Sequence, residues 1–170
     1  MWVYLKKSIN VVFWLLDKVS KKNFCKLYPK YLNWLGIKID TNKIENMWIS
    51  PTTFFDSSHY DLISIGEMVT ISFGVSILVH DYSIVHAMRI CEPNKKCSNI
   101  IYNNVKIGNN VFIGARTIIL PGTNIGDNCI IGAGSVVKGE LKSNTIYCGN
   151  PARPIGSISD FAEKHKSLLD

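Results

Sequence analysis

The chain has 170 residues and a mass of 19.1 kDa, which is room for one domain with a sizeable core and too little for two ordinary ones. With 46% hydrophobic and 19% charged residues it is too apolar for a disordered protein and has no collagen-like composition. The net charge is +6, but residues 1–40 hold eight lysines against Asp17 and Asp40, whereas the rest carries eleven charges of each sign. A basic head therefore precedes a neutral body.

The longest nearly uncharged apolar run near the start, Ser8 to Leu16, is about half of the ~20 residues a membrane-spanning helix needs, and no small-residue cleavage site follows it. Five cysteines (Cys25, Cys91, Cys97, Cys129, Cys148) with no C-x-x-C pair indicate neither a disulfide framework nor a zinc ribbon. The expectation is a cytoplasmic chain. Within residues 1–40, Trp2, Leu5, Ile9, Val12, Phe13 and Leu16 recur at helical spacing, as do Phe24, Leu27, Tyr28, Tyr31, Leu32 and Leu35. Gly36 is a plausible C-cap, and Pro29 suggests a start or kink near it. Two readings stand for this head. It packs on or caps the body, or it forms an interfacial helix that makes a peripheral contact with the inner face of a membrane. No nucleic-acid motif accompanies the charge, so no nucleic-acid partner is expected.

A composition break falls near residues 41–60: every Trp lies before residue 49, and eleven of the twelve glycines lie at or after Gly66. Beyond it the hydrophobic period is six. Ile107, Ile113, Ile119, Ile125, Ile131 and Val137 are consecutive aliphatics at that interval, with Gly108, Gly114, Gly126 and Gly132 following four of them. The register also holds at Ile65, Ile71 and Ile77 and returns at Ile101, and position i+4 stays small or β-branched from Val69 to Ser135. A short strand and a turn repeated every six residues stack only if each segment points one aliphatic side chain inward. Three such segments close a triangular coil of eighteen. The predicted fold is thus an all-β solenoid over residues 41–156, a β-sandwich fitting the spacing poorly.

Ser83, Arg89 and Lys95 occupy positions where the register requires aliphatics, and a narrow core cannot hold them. Residues 83–100, with His86, Cys91, Glu92, Pro93, Lys96 and Cys97, are therefore expected to leave the coil as a protruding loop. At the other end, Asp160-x-x-Glu163 resembles a capping box and predicts a short helix to about Leu169 within residues 157–170.

The stretch I-G-N-N-V-F-I-G-A-R-T-I-I-L-P-G-T-N-I-G-D-N-C-I-I-G-A-G-S-V-V (107–137), with G-N-P-A-R-P-I (149–155) and I-L-V-H-D-Y-S (77–83), resembles the hexapeptide-repeat acyltransferases over about residues 60–156. That family includes the maltose, galactoside and capsular or lipopolysaccharide O-acetyltransferases. The resemblance implies a left-handed parallel β-helix, acetyl-CoA as acyl donor with no metal, a small-molecule or glycan acceptor, and a homotrimer whose sites are shared between neighbouring subunits. Transfer from a thioester to a hydroxyl needs a base titrating near neutrality. The resemblance assigns this to His80, where the loop departs. Asp81, His86 and Arg89, beside it and in the loop, are the candidate acceptor contacts. Phe112, Ala115, Gly132, Ala133 and Gly134 are implied to line the coenzyme's pantetheine arm, with Lys138 and Arg153 meeting its phosphates. Arg116 is a further local cation.

The pattern departs from the family in two places. Phe112 stands where relatives often carry Trp, and V-V-K-G-E (136–140) replaces V-V-T-K-D. An amine acceptor, on an amino sugar or serine, would use a similar base, and a non-catalytic solenoid scaffold would need none. A metal-dependent hydrase resembling the γ-class carbonic anhydrases would require three convergent imidazoles, and the four histidines are not spaced for that.

Overall fold

The computed structural model describes residues 2–56, 59–92 and 100–168, with residues 2–8 and 10 by backbone alone. The chain begins with two packed helices, α1 (Trp2–Val19) and α2 (Lys21–Trp34). It then winds through short strands: β1 (Trp48–Ile49), β2 (Phe54–Phe55), β3 (Ile63–Ile65), β4 (Thr70–Ile71) and β5 (Ser76–Ile77). A detour follows, made of β6 (His80–Asp81), α3 (Ser83–Cys91) and β7 (Ile101–Tyr102). Winding resumes with β8 (Val105–Ile107), β9 (Phe112–Ile113), β10 (Ile118–Ile119), β11 (Asn124–Ile125), β12 (Ile130–Ile131), β13 (Val136–Val137), β14 (Glu140–Leu141) and β15 (Thr145–Gly149). The chain ends in β16 (Ala152–Ser157) and α4 (Ile158–His165).

Successive strands visit three sheets in rotation. The first face stacks β3, β8, β11 and β14, the second β1, β4, β9, β12 and β15, and the third β2, β5, β10 and β13, all parallel. Inward aliphatics stack in columns, such as Ile71, Ile113 and Ile131 on the second face and Ile77, Ile119 and Val137 on the third, nearly all fully buried. The small i+4 residues line the corners from inside. Thr117, Thr123 and Ser135 are buried there because their hydroxyls donate to the carbonyls of Gly132, Leu120 and again Gly132.

The corners explain the Gly and Asn content. Asn46, Met68, Asn110, Asn128 and Asn144 all have positive φ, each one or two residues before a second-face strand. Asparagine tolerates that conformation, and Asn110, Asn128 and Asn144 extend the stack through a side-chain amide ladder at 3.0 and 2.8 Å.

Several expectations are corrected. Winding begins before residue 41: Lys38 bridges Ser64, and Ile37, Ile39, Met47 and Ile49 are buried in the common core. The spacing in this first turn is 22 (Ile49 to Ile71), not 18, so the six-residue register does not show it. Ile101 does not rejoin the coil. It is exposed in β7, which pairs antiparallel with β6, and Val105 is the first residue back in register. The segment expected as a loop carries α3 from Ser83 to Cys91, because its apolar residues, with Val85 buried, suit one helical face. Pro93, Lys95, Lys96 and Cys97 lie outside the described residues, as does Leu169.

In the head, α2 runs unbroken through Pro29, and Gly36 (φ +115) follows it in the left-handed conformation. Its Phe24, Tyr28 and Leu32 plug the open end of the coil, with Leu27 turned outward. Phe13 and Leu16 of α1 pack against this plug, whereas Val12 faces solvent. Trp48 ties the helices to the second face, donating to Asp17 at 3.2 Å beneath the ammonium of Lys21. At the C-terminus the cap is Ser157, whose hydroxyl accepts from Asp160 N–H, rather than Asp160 itself.

Candidate functional site

His80 stands where the third face ends in the second turn of the coil. Leu78 N–H still bonds to Ile119 C=O at 2.9 Å; then the chain leaves as β6, returns as β7, and Asn103 N–H closes on Val79 C=O at 2.9 Å. The detour enlarges one turn of the coil, so that Ile77 pairs with Ile119, 42 residues on, where Ile119 pairs with Val137 after 18. His80 therefore sits at the joint between a rigid stack and an added element, with its ring partly exposed rather than in the core.

Its partner is a residue that the sequence pattern did not single out. Asp56, directly after β2, is buried, and its Oδ2 accepts from Val79 N–H at 3.2 Å and from His80 Nδ1. A carboxylate can only accept, so Nδ1 carries a proton, and when the ring holds a single proton Nε2 is the bare nitrogen. The pairing arises because β2 and β5 are neighbours on the third face, with Phe55 opposite Ile77. The one sequence clue is a lone acid directly after an apolar strand.

Aromatic rings surround this imidazole. Tyr82 meets it edge-on with centroids 5.6 Å apart, and Tyr102, cross-strand from His80 in the β6–β7 ribbon, lies at 6.3 Å. His59 packs against Tyr102 at 4.4 Å. Asp81 is engaged locally: its Oδ1 accepts from Ser83 N–H at 2.7 Å and starts α3. Hydrogen bonds from Ser83, then the nearby charges of Lys138 and His80, hold its carboxyl below the usual carboxylate range. His86 and Arg89 are exposed one turn apart on α3.

The other predicted residues divide into three places. Ala115 and the Gly132–Ala133–Gly134 turn stack on one another at the corner between the second and third faces, where Gly134 N–H donates to Ala115 C=O at 2.8 Å. Contact is close enough that a Cβ on Gly114 would meet Ala133 N at 2.5 Å, whereas one on Gly134 (φ +69) would meet nothing within 4 Å. The corner is therefore tight within the stack and bare toward solvent. Arg116 continues it, with its guanidinium over Phe73. Lys138 and Arg153 line one groove near the last turn, with Glu140, Lys142, Tyr147 and Pro154. Phe112 stands apart, half-exposed on the second face in a groove with Met68, Ile130 and Ile158.

His80 and the Ala115–Ala133 corner thus occupy opposite edges of the third face. Among the described residues, no three of His, Cys, Asp and Glu gather as a metal site, and no helix is long and apolar enough to cross a membrane.

Residues 104–139 match the family model "Bacterial transferase hexapeptide (six repeats)". The chain is 32% identical to galactoside O-acetyltransferase of Escherichia coli K12, over 74% of this chain and 68% of that protein. It is 37% identical to protein CapG of Staphylococcus aureus, over 85% and 82%. Among solved structures, a galactoside acetyltransferase in complex with coenzyme A superposes with a TM-score of 0.58 at 24% identity, covering 93% of this chain and 83% of that one. Three parallel faces wound with hexapeptide spacing, and relatives of this likeness along most of their length, place the chain: it belongs to the hexapeptide-repeat transferase family and is an acyltransferase.

Proposed function

We propose that this protein is an acetyl-CoA-dependent O-acetyltransferase acting on a hydroxyl of a sugar or glycan in surface polysaccharide assembly. The Asp56–His80 pair carries this reading, since it holds the ring by Nδ1 and leaves Nε2 directed away from its anchor. In the reaction His80 Nε2 takes the acceptor hydroxyl proton as that oxygen attacks the thioester carbonyl. Asp56 holds the ring and stabilises the imidazolium, which returns its proton to the departing thiolate as the carbon–sulfur bond breaks. Tyr82 and Tyr102 offer flat apolar surfaces on which one face of a pyranose ring can lie. The bare corner at Ala115, Gly132, Ala133 and Gly134 suits an amide-rich arm passing close to backbone, and Lys138 with Arg153 suits phosphates.

The same reading gives the coil its left-handed winding and the enzyme its assembly. One chain holds the base and the bare corner on opposite edges of a face whose outward side carries exposed Phe54 and Ile118. A homotrimer in which that edge of one subunit faces the corner of the next brings the two together and covers the apolar residues. The resemblance implies a cytoplasmic enzyme, and glycan assembly would place it at the inner face of the membrane. The test is thiol release from acetyl-CoA across nucleotide sugars, polysaccharide repeats and small acceptors. Acceptor-dependent release that falls roughly a hundredfold to ten-thousandfold in His80→Ala is expected, and release unaffected by that change would overturn the assignment.

A further inference from the structure

The head presents a surface that acetyl transfer does not use. On α1, Val11, Val12, Leu15 and Val19 fall on one side at helical spacing and are 57%, 61%, 51% and 84% exposed, while Phe13 and Leu16, on the adjoining side, pack against the α2 plug. This inverts the usual burial of an amphipathic helix, because an apolar stripe is left toward water. Lys18, Lys21, Lys22, Lys26 and Lys30 are exposed on the same helical pair, and its single acid, Asp17, accepts from the Trp48 indole.

We propose that the α1–α2 pair is a peripheral docking surface for anionic lipid, with the α1 stripe entering the headgroup boundary and the lysines meeting lipid phosphates. Apolar residues alone would fit many occupants; charge selects among them. A second copy offers the same lysines at its own head, and residues 41–170 carry eleven charges of each sign, so no copy supplies a net acidic partner. An anionic bilayer supplies both the negative surface and the apolar layer beneath it. The aromatic packing of Phe13, Phe24, Tyr28 and Tyr31 holds α1 on a rigid support, so its stripe is exposed before any lipid is met. In a trimer with its axis along the coil, all three heads lie at one end, and three weak contacts act together.

The experiment is co-sedimentation of the full chain with vesicles of phosphatidylcholine alone and of phosphatidylcholine with phosphatidylglycerol, at low and high salt, with light scattering of the free protein alongside. Binding is expected to the anionic vesicles only and to weaken with salt. Leu15→Gln with Val19→Gln should lower it about tenfold or more by removing buried apolar area. Lys22→Gln with Lys26→Gln should lower it to a similar extent by removing charge. These positions are exposed, so melting temperature and soluble thiol release should stay at the wild-type level, and the lysine pair serves as the test if the stripe pair fails to fold. Absent binding, binding that neither pair alters, or a stripe variant of smaller mass in solution would overturn the proposal, the last making the stripe a contact between copies. None of these readouts depends on His80.

Discussion

The two corners that border the third face share a turn geometry, with Gly122 and Gly139 at one and Gly74, Arg116 and Gly134 at the other in the left-handed region, yet they carry different chemistry. One is interrupted by the β6–α3–β7 detour and gathers His80, Asp56, Tyr82 and Tyr102. The other stays regular and shows little more than backbone at Ala115, Ala133 and Gly134. A repeat is good at making a smooth groove because every turn is alike, and poor at making a reactive centre, which needs one residue different from all its equivalents. The insertion is the largest break in the repeat, and the proposed base sits there.

Breaking the reactive corner should have the largest effect, with His80→Ala as given above. Asp56→Asn comes next. An amide can donate to Nδ1 and favour the tautomer with its proton on Nε2, so kcat should fall roughly a hundredfold. The KM for acetyl-CoA should hold, because Asp56 lies away from the bare corner. Equal losses in kcat and in melting temperature would instead make Asp56 a structural support for Val79 N–H.

Filling the bare corner should produce the opposite kinetic pattern. Ala133→Trp adds bulk at an exposed turn, so the KM for acetyl-CoA should rise about tenfold with melting temperature unchanged. An unchanged KM would place the coenzyme elsewhere, for instance along the Phe112 groove. The smallest effect belongs to the repeat itself. Met68 holds φ +52 in a ladder where the other members are asparagine, so Met68→Asn should stabilise the fold by about 1 kcal/mol in denaturant unfolding, without touching activity.

The coil from Ile63 to Val137, the detour apart, was legible because its side chains repeat in the six-residue register that its geometry requires. The first turn was not, since its spacing is 22 residues, Trp48 and Phe54 do not face the core, and a mostly polar stretch at 40–46 precedes them. α1 was legible as a helix and misread as to its face: Val12 continues a sequence stripe yet faces solvent, whereas Phe13 and Leu16 pack inward. His80 could be named from the residues around it. Asp56 could not, because what selects it is a cross-strand neighbour 24 positions away, a relation fixed by the irregular turn rather than by any local pattern.

Complementation tests the shared site most directly. His80→Ala and Ala133→Trp chains, each inactive or weak alone, are unfolded together and refolded as a mixture, and thiol release is measured at limiting acetyl-CoA. If His80 of one subunit works beside the corner of its neighbour, random mixing leaves about a quarter of the interfaces with both parts intact, and activity should recover to about that fraction of wild type. No recovery above the sum of the two separate variants would contradict the account, leaving base and corner to act within one chain or not together at all.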